Sequence, residues 1–172
     1  MEPVPIEPKV ERRDLPPFDR LCRWLALAGG VVLALAGAVT VASVFGRYFF
    51  NDAIAGDSEI VSNLTAIAVA LFLPWCQLAR GNVIVDVFTE RASAPVKAIL
   101  DGLGSFLLAL IAGVVAWRLA AGGIGLAAAH DETMVLRLPT WWAFAVIAPA
   151  FALLAAAAVV TTWRDLAPLR RS

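Results

Sequence analysis

The chain has 172 residues, 60% of them hydrophobic and 16% charged, with equal numbers of basic and acidic side chains and a net charge of zero. Soluble domains carry charge on about a quarter of their residues, so this balance excludes an ordinary water-soluble globular protein. Zero net charge also excludes a general nucleic-acid binder, because contacts to phosphates need a basic surface.

In chain order, residues 1–20 come first. Pro3, Pro5, Pro8, Pro16 and Pro17 stand among charges in this arm, which lacks the apolar residues for a core and reads as a disordered tail. Four apolar segments follow at about 21–45, 59–78, 98–117 and 141–163, and residues 166–172 form a short polar tail. Each segment holds the roughly 20 residues that carry a helix across about 30 Å of hydrocarbon, where every backbone group must find its partner inside the helix. The expected fold is therefore an all-α membrane protein with four transmembrane helices. Trp141, Trp142 and Trp163 flank the last segment like an aromatic belt, about 33 Å apart along the helix. The first segment is too long, and sits too far behind its polar arm, for a cleaved signal peptide.

Eleven of the fourteen Lys and Arg residues fall on one side of this arrangement, in the N-terminal arm, the second connection and the C-terminal end. Arg47, Arg118 and Arg137 fall on the other. The positive-inside rule then places both termini in the cytoplasm. Cys22 and Cys76 both lie toward that side, where thiols stay reduced.

Helix faces carry the next signals. The first segment has Ala26, Gly30, Ala34, Ala38 and Ala42 at every fourth position, and the third has Gly102, Ser105, Ala109, Gly113 and Ala116. Small residues let membrane helices approach closely. Such a stripe serves either the internal bundle or a partner surface, and a chain this rich in Ala and Gly favours the internal use. On the second segment, Glu59, Ser62, Asn63, Ala66, Ala70 and Gln77 share one face, which is expected to meet protein. Pro74 and Pro149 are expected to bend their helices, and Pro139 suits a helix start. Asp57 or Ser58 is a good N-cap for the second helix, Glu59 suits its positive dipole end, and Arg47 suits the end of the first. Beyond Trp117, the Gly-rich and polar stretch 118–140 reads as an outward connection with a short interfacial turn of helix. After the second helix, Val87, Phe88, Val96 and Ile99 among charges suggest a short helix at the cytoplasmic interface.

Catalytic and cofactor chemistry has little to stand on. His130 is the single histidine, which excludes a haem held by two histidines of this chain and any multi-histidine metal site. His130-Asp131-Glu132 reads as a solvated turn. Phosphate-binding loops, dinucleotide turns and nucleophile elbows are missing from the sequence, so it reads as a non-catalytic chain with no cofactor and no metal. The centres of all four segments lack charge, which argues against a carrier working alone.

Several stretches resemble a known family in order and spacing: "GRYFFN" at 46–51, "GDSEI" at 56–60, "LFLPWCQLARG" at 71–81 and "NVIVD" at 82–86. The chain is similar to the small membrane subunit of tripartite ATP-independent periplasmic (TRAP) transporters, the DctQ-like family. Where that family usually has His, this chain has Asn82, which keeps a hydrogen-bonding side chain but carries no proton near neutral pH. The resemblance implies a non-catalytic scaffold subunit in a bacterial inner membrane, partnered by a large permease subunit and a periplasmic solute-binding protein. It also implies secondary active uptake, by symport, of a small organic solute such as a carboxylate. On this reading Arg47, Glu59, Asn63, Trp75, Arg80, Asn82 and Asp86 are the candidate subunit-interface residues. Alternative readings are the small subunit of a tripartite tricarboxylate transporter, the membrane anchor of a respiratory enzyme, and a self-sufficient small exporter.

Overall fold

The computed structural model describes residues 16–50, 55–79 and 94–166, with side chains described for 16–50, 55–79 and 100–165. Within them the chain is helical, with four helices long and apolar enough to cross a membrane: α1 (Pro17–Phe50), α2 (Asp57–Leu78), α3 (Ala94–Ala129) and α4 (Trp141–Leu166). Pro17 opens α1 in the first helical position, where its missing N–H would have had no partner, and the Pro16 carbonyl accepts the Arg20 amide at 3.2 Å. The interfacial helix expected after the second segment would begin in residues 80–93, outside the described residues, while Ala94 onward already belongs to α3.

α1 packs on α2, α2 on α4, and α4 on α3. Only 11% of the apolar window of α1 and of α3 is buried, against 28% for α2 and 33% for α4, so the latter two form the centre and the former two are flanks. The core is a cluster of Ile67, Ala70 and Leu71 with Ala143 and Ala150, backed by Leu25, Val32, Trp142, Ile147 and Phe151.

The α1–α2 seam does not follow the every-fourth stripe. Its buried residues are Asp19 near the start and then Cys22, Gly29, Ala36 and Ser43, seven apart, with half-buried Leu25, Val32, Val39 and Gly46 between them. A seven-residue step drifts only about 20° around a helix, whereas a four-residue step drifts about 40° every time. A stripe at every fourth position therefore spirals off the seam. Ala26 and Gly30 are half-buried, and Ala34, Ala38 and Ala42 are exposed. On α3 the steps are three, four, four and three, which average close to one turn, so Gly102, Ser105, Ala109, Gly113 and Ala116 stay buried or half-buried on the flank that packs on α4. On α2 the expected protein-facing set holds in part: Ala70 and Gln77 are buried and Glu59 and Asn63 half-buried, but Ser62 and Ala66 are exposed, and Ile67, Ala68, Leu71 and Pro74 complete the buried face.

The largest departure from the sequence reading is α3, which continues twelve residues past Trp117 and takes up most of the expected 118–140 connection. In lipid, a helix is the one local arrangement that pairs the backbone of a Gly-rich stretch, and that requirement outweighs weak helix propensity. Packing selects glycine here as well, because a Cβ on Gly123 would lie 2.9 Å from Phe144 Cβ. The helix closes with His130 in the left-handed region (φ 52°), the His130 amide on Ala127 O at 3.3 Å and the Asp131 amide on Leu126 O at 3.2 Å. That pair of bonds is a Schellman cap, with His where Gly is usual. Residues 130–140 then form a tight, internally bonded loop rather than a turn of helix, with Thr133 N on Leu138 O at 2.9 Å, Arg137 N on Thr133 O at 3.1 Å and Thr140 N on Asp131 O at 3.0 Å.

Candidate functional site

Buried polar side chains among the described residues are Asp19, Ser43, Gln77, Thr161 and Asp165, all toward helix ends. Two polar locks about 27 Å apart along α2, one centred on Glu59 and the other on Gln77, include Ser43 at the first end and Asp19, Gln77 and Thr161 at the second.

At the Glu59 end the sequence reading of the cap needs correction. The N-cap of α2 is Gly56, in the left-handed region at φ 77°, with no side-chain cap; its carbonyl accepts the amides of Glu59 (3.1 Å) and Ile60 (3.2 Å). Asp57 instead sits inside the first turn. One of its carboxylate oxygens accepts the Ser58 amide at 2.6 Å and the other accepts a short hydrogen bond from the Ser43 hydroxyl, tying α1 to the start of α2. Asp57 thus satisfies one orphan amide of the first turn from within the helix while its second oxygen holds α1. Arg47, exposed in the last turn of α1, interacts electrostatically with Asp57.

Glu59 reaches across to the α3–α4 loop. Its Oε1 accepts the Val135 amide at 3.0 Å and its Oε2 the Leu136 amide at 3.2 Å. Two successive amides turned to one side make a small anion-binding concavity, and the chain fills it with its own carboxylate. The Leu136 side chain closes the contact from above by lying against the bare Cα of Gly56. Asn63 does not join the carboxylate; its Nδ2 donates to the Glu59 backbone carbonyl at 3.0 Å. Above this lock the last turns of α1 stand clear. Phe45, Tyr48, Phe49 and Phe50 are exposed, with Phe45 stacked on Phe49 at 5.6 Å and Tyr48 edge-on to Phe49 at 5.2 Å.

At the other end Gln77 ties three helices together. Its Nε2 donates to Thr161 Oγ1 of α4 at 3.0 Å and to Ser105 Oγ of α3 at 3.3 Å, while Thr161 donates onward to Ala158 O at 2.9 Å. Nearby, Arg164 of α4 pairs with Asp19 of α1 at 3.2 Å. Gln77→Leu leaves the Ser105 hydroxyl without its α2 partner, and is expected to lower stability by about 1–2 kcal/mol. A thermal melt in detergent checks this, and Gln77→Glu should restore it only in part, because the Ser105 hydroxyl can turn to donate to a carboxylate whereas the Thr161 hydroxyl is already donated to Ala158 O.

Of the residues singled out from sequence, Arg47, Glu59 and Asn63 gather at one end, and Trp75 lies half-buried on α2 toward the other. Arg80, Asn82 and Asp86 lie outside the described residues. Sequence reasoning missed Gly56, Val135 and Leu136. The last two act through backbone amides, which leave no mark on residue type; only the glycine before an acidic helix start offered a hint.

Fold and polar locks together define a multi-pass helical membrane protein whose polar groups hold its own helices in place. A family model described as "Tripartite ATP-independent periplasmic transporters, DctQ component" matches residues 36–167. The chain belongs to that family, and is thus a small permease component of a TRAP transporter. Neither curated proteins nor solved structures gave a match.

Proposed function

We propose that the chain is the scaffold subunit of a TRAP-type secondary transporter in a bacterial inner membrane. It works with a large permease subunit that carries the solute, and with a periplasmic binding protein that delivers it. The observation that carries this reading is that, among the described residues, every buried polar side chain lies toward a helix end, beside two flanking helices left mostly uncovered. A carrier needs polar or ionisable groups along its path near the bilayer centre. Here a cleft of about 340 Å³ between α3 and α4 is lined by apolar and small residues, among them Gly123, Ile124, Phe144 and Pro149, with no charged side chain and only the Trp141 indole N–H as a polar side-chain group.

The Gln77 end, with most of the positive charge, faces the cytoplasm together with both termini, and the Glu59 end faces the periplasm. The exposed end of α1 around Arg47, with the loop that Glu59 holds and Asn63 beneath it, forms the outer contact surface. Trp75, Arg80, Asn82 and Asp86 form the inner one. The solute is a small organic molecule, a carboxylate in our reading, taken up by ion symport.

Purification of the tagged chain from its native membrane in mild detergent, followed by mass spectrometry, tests the reading. A one-to-one complex with a large multi-span permease is the expected result. Recovery alone or as a homodimer would overturn it, and transport by the chain alone in liposomes would establish the exporter instead.

A further inference from the structure

Arg118 gains a different meaning once α3 is seen to continue to Ala129. It is not at a helix end but eleven residues before one. The close approach of Gly123 to Phe144 sets the register of the antiparallel α3–α4 pair and places Arg118 opposite Pro149. That is about 12 Å inside the level of Trp141 and about 21 Å from the level of Trp163, within the hydrocarbon layer. The side chain is exposed, and makes no hydrogen bond or ion pair among the described residues. Around it the outward face of α3 is uncovered: Ile111, Val114, Gly122 and Gly125 are exposed, and a Cβ added to either glycine would meet open space. The opposite flank, α1, is uncovered too, but carries no charge from Trp24 to Gly46.

We infer that the α3 flank, rather than α1, receives the partner, and that the partner is a transmembrane helix placing a carboxylate against Arg118. An ionised side chain at this depth is costly unless paired, and arginine pairs best with a planar, two-oxygen acceptor. A lipid phosphate of the nearer leaflet is a poorer match. Cα–Cβ bonds tilt toward the helix N-terminus, so on α3 the arginine sets out toward the bilayer centre, away from that leaflet. A second copy of this chain is a poorer match as well. Copies related by an axis along the membrane normal keep each residue at its own depth, and the described acidic side chains all lie toward the two ends. Glu59 lies about 8 Å nearer the surface than Arg118, and its oxygens are already held by Val135 and Leu136. Beyond Arg118, Gly122 and Gly125 allow the close backbone approach that such a pair needs. That the partner helix belongs to the large permease subunit rests on the proposed function; the docking face itself does not.

Photo-cross-linkable benzoylphenylalanine at Val114, one turn from Arg118 on the same exposed face, and, separately, at Ala38 of α1, in the full chain within its native membrane, tests the inference. The expected result is a protein adduct from position 114, within two helical turns of an Asp or Glu of the partner, and none from position 38. Arg118→Leu should then lower adduct yield by about tenfold or more, the scale of removing one half of a buried ion pair, while Arg118→Lys keeps most of it. An adduct with some other membrane protein bearing such a carboxylate would uphold the docking face and defeat the transporter reading. Co-purification of a large permease with no adduct at 114 would do the reverse. An adduct with a second copy, one far from any carboxylate, or one indifferent to Arg118→Leu overturns the inference. The position-114 probe retains Arg118, Gly122 and Gly125, so the result does not depend on the Arg118 variants folding.

Discussion

Glu59→Lys should release the 130–140 loop, raise tryptic cleavage after Arg137 by about tenfold, and bring recovery of the assembled complex close to background. In the folded chain both carboxylate oxygens are occupied by the Val135 and Leu136 amides. An ammonium group there would face the positive ends of two N–H dipoles, and would leave both amides without an acceptor. Glu59→Gln keeps one acceptor oxygen and should fall between wild type and Glu59→Lys. Arg137 is exposed and has φ 51°, so cleavage beside it reports directly on whether the loop holds its shape. An unchanged cleavage rate in Glu59→Lys would show that the loop is held by something other than this carboxylate. Intact loop protection combined with lost assembly would instead mean that Glu59 touches the partner itself.

Gly56→Val should destabilise the chain by about 2–4 kcal/mol, with a correspondingly lower melting temperature in detergent. Two costs combine. A β-branched residue is strained at φ 77°, and a Cβ at this position would sit 2.6 Å from Leu136 Cγ. Gly56→Ala carries the same backbone strain with less bulk and should lose somewhat less. The double variant Gly56→Ala with Leu136→Ala separates the two: recovery of part of the loss identifies the contact with Leu136, and no recovery assigns all of it to the backbone. Because Leu136 also donates its amide to Glu59, Gly56→Val should raise cleavage after Arg137 as well.

Much of the framework is legible in the order of residues. Four apolar stretches imply four spans because hydrocarbon offers the backbone no other partner. The limits of α2 come close for a different reason: Gly56 and Asp57 mark its start, and polar residues follow Leu78. The end of α3 is not legible, since a stretch holding Gly122, Gly123 and Gly125 reads as a loop in water, and the cap that ends the helix is a left-handed His130. The packed face of α1 is misjudged from sequence for a geometric reason. Small residues at every fourth position catch the eye, but a straight helix carries them around its axis, and the buried set repeats every seventh residue.

Membrane class, the number of spans and the family resemblance follow from local composition and motif order, and so are settled at the level of sequence. Three outcomes are settled only by the packed helices: which face of each helix is covered, that Glu59 holds a loop 76 residues away, and that Arg118 lies inside α3, opposite Pro149, rather than at a helix end. They depend on where one backbone lies against another. A backbone amide or a helix register has no letter of its own in the sequence.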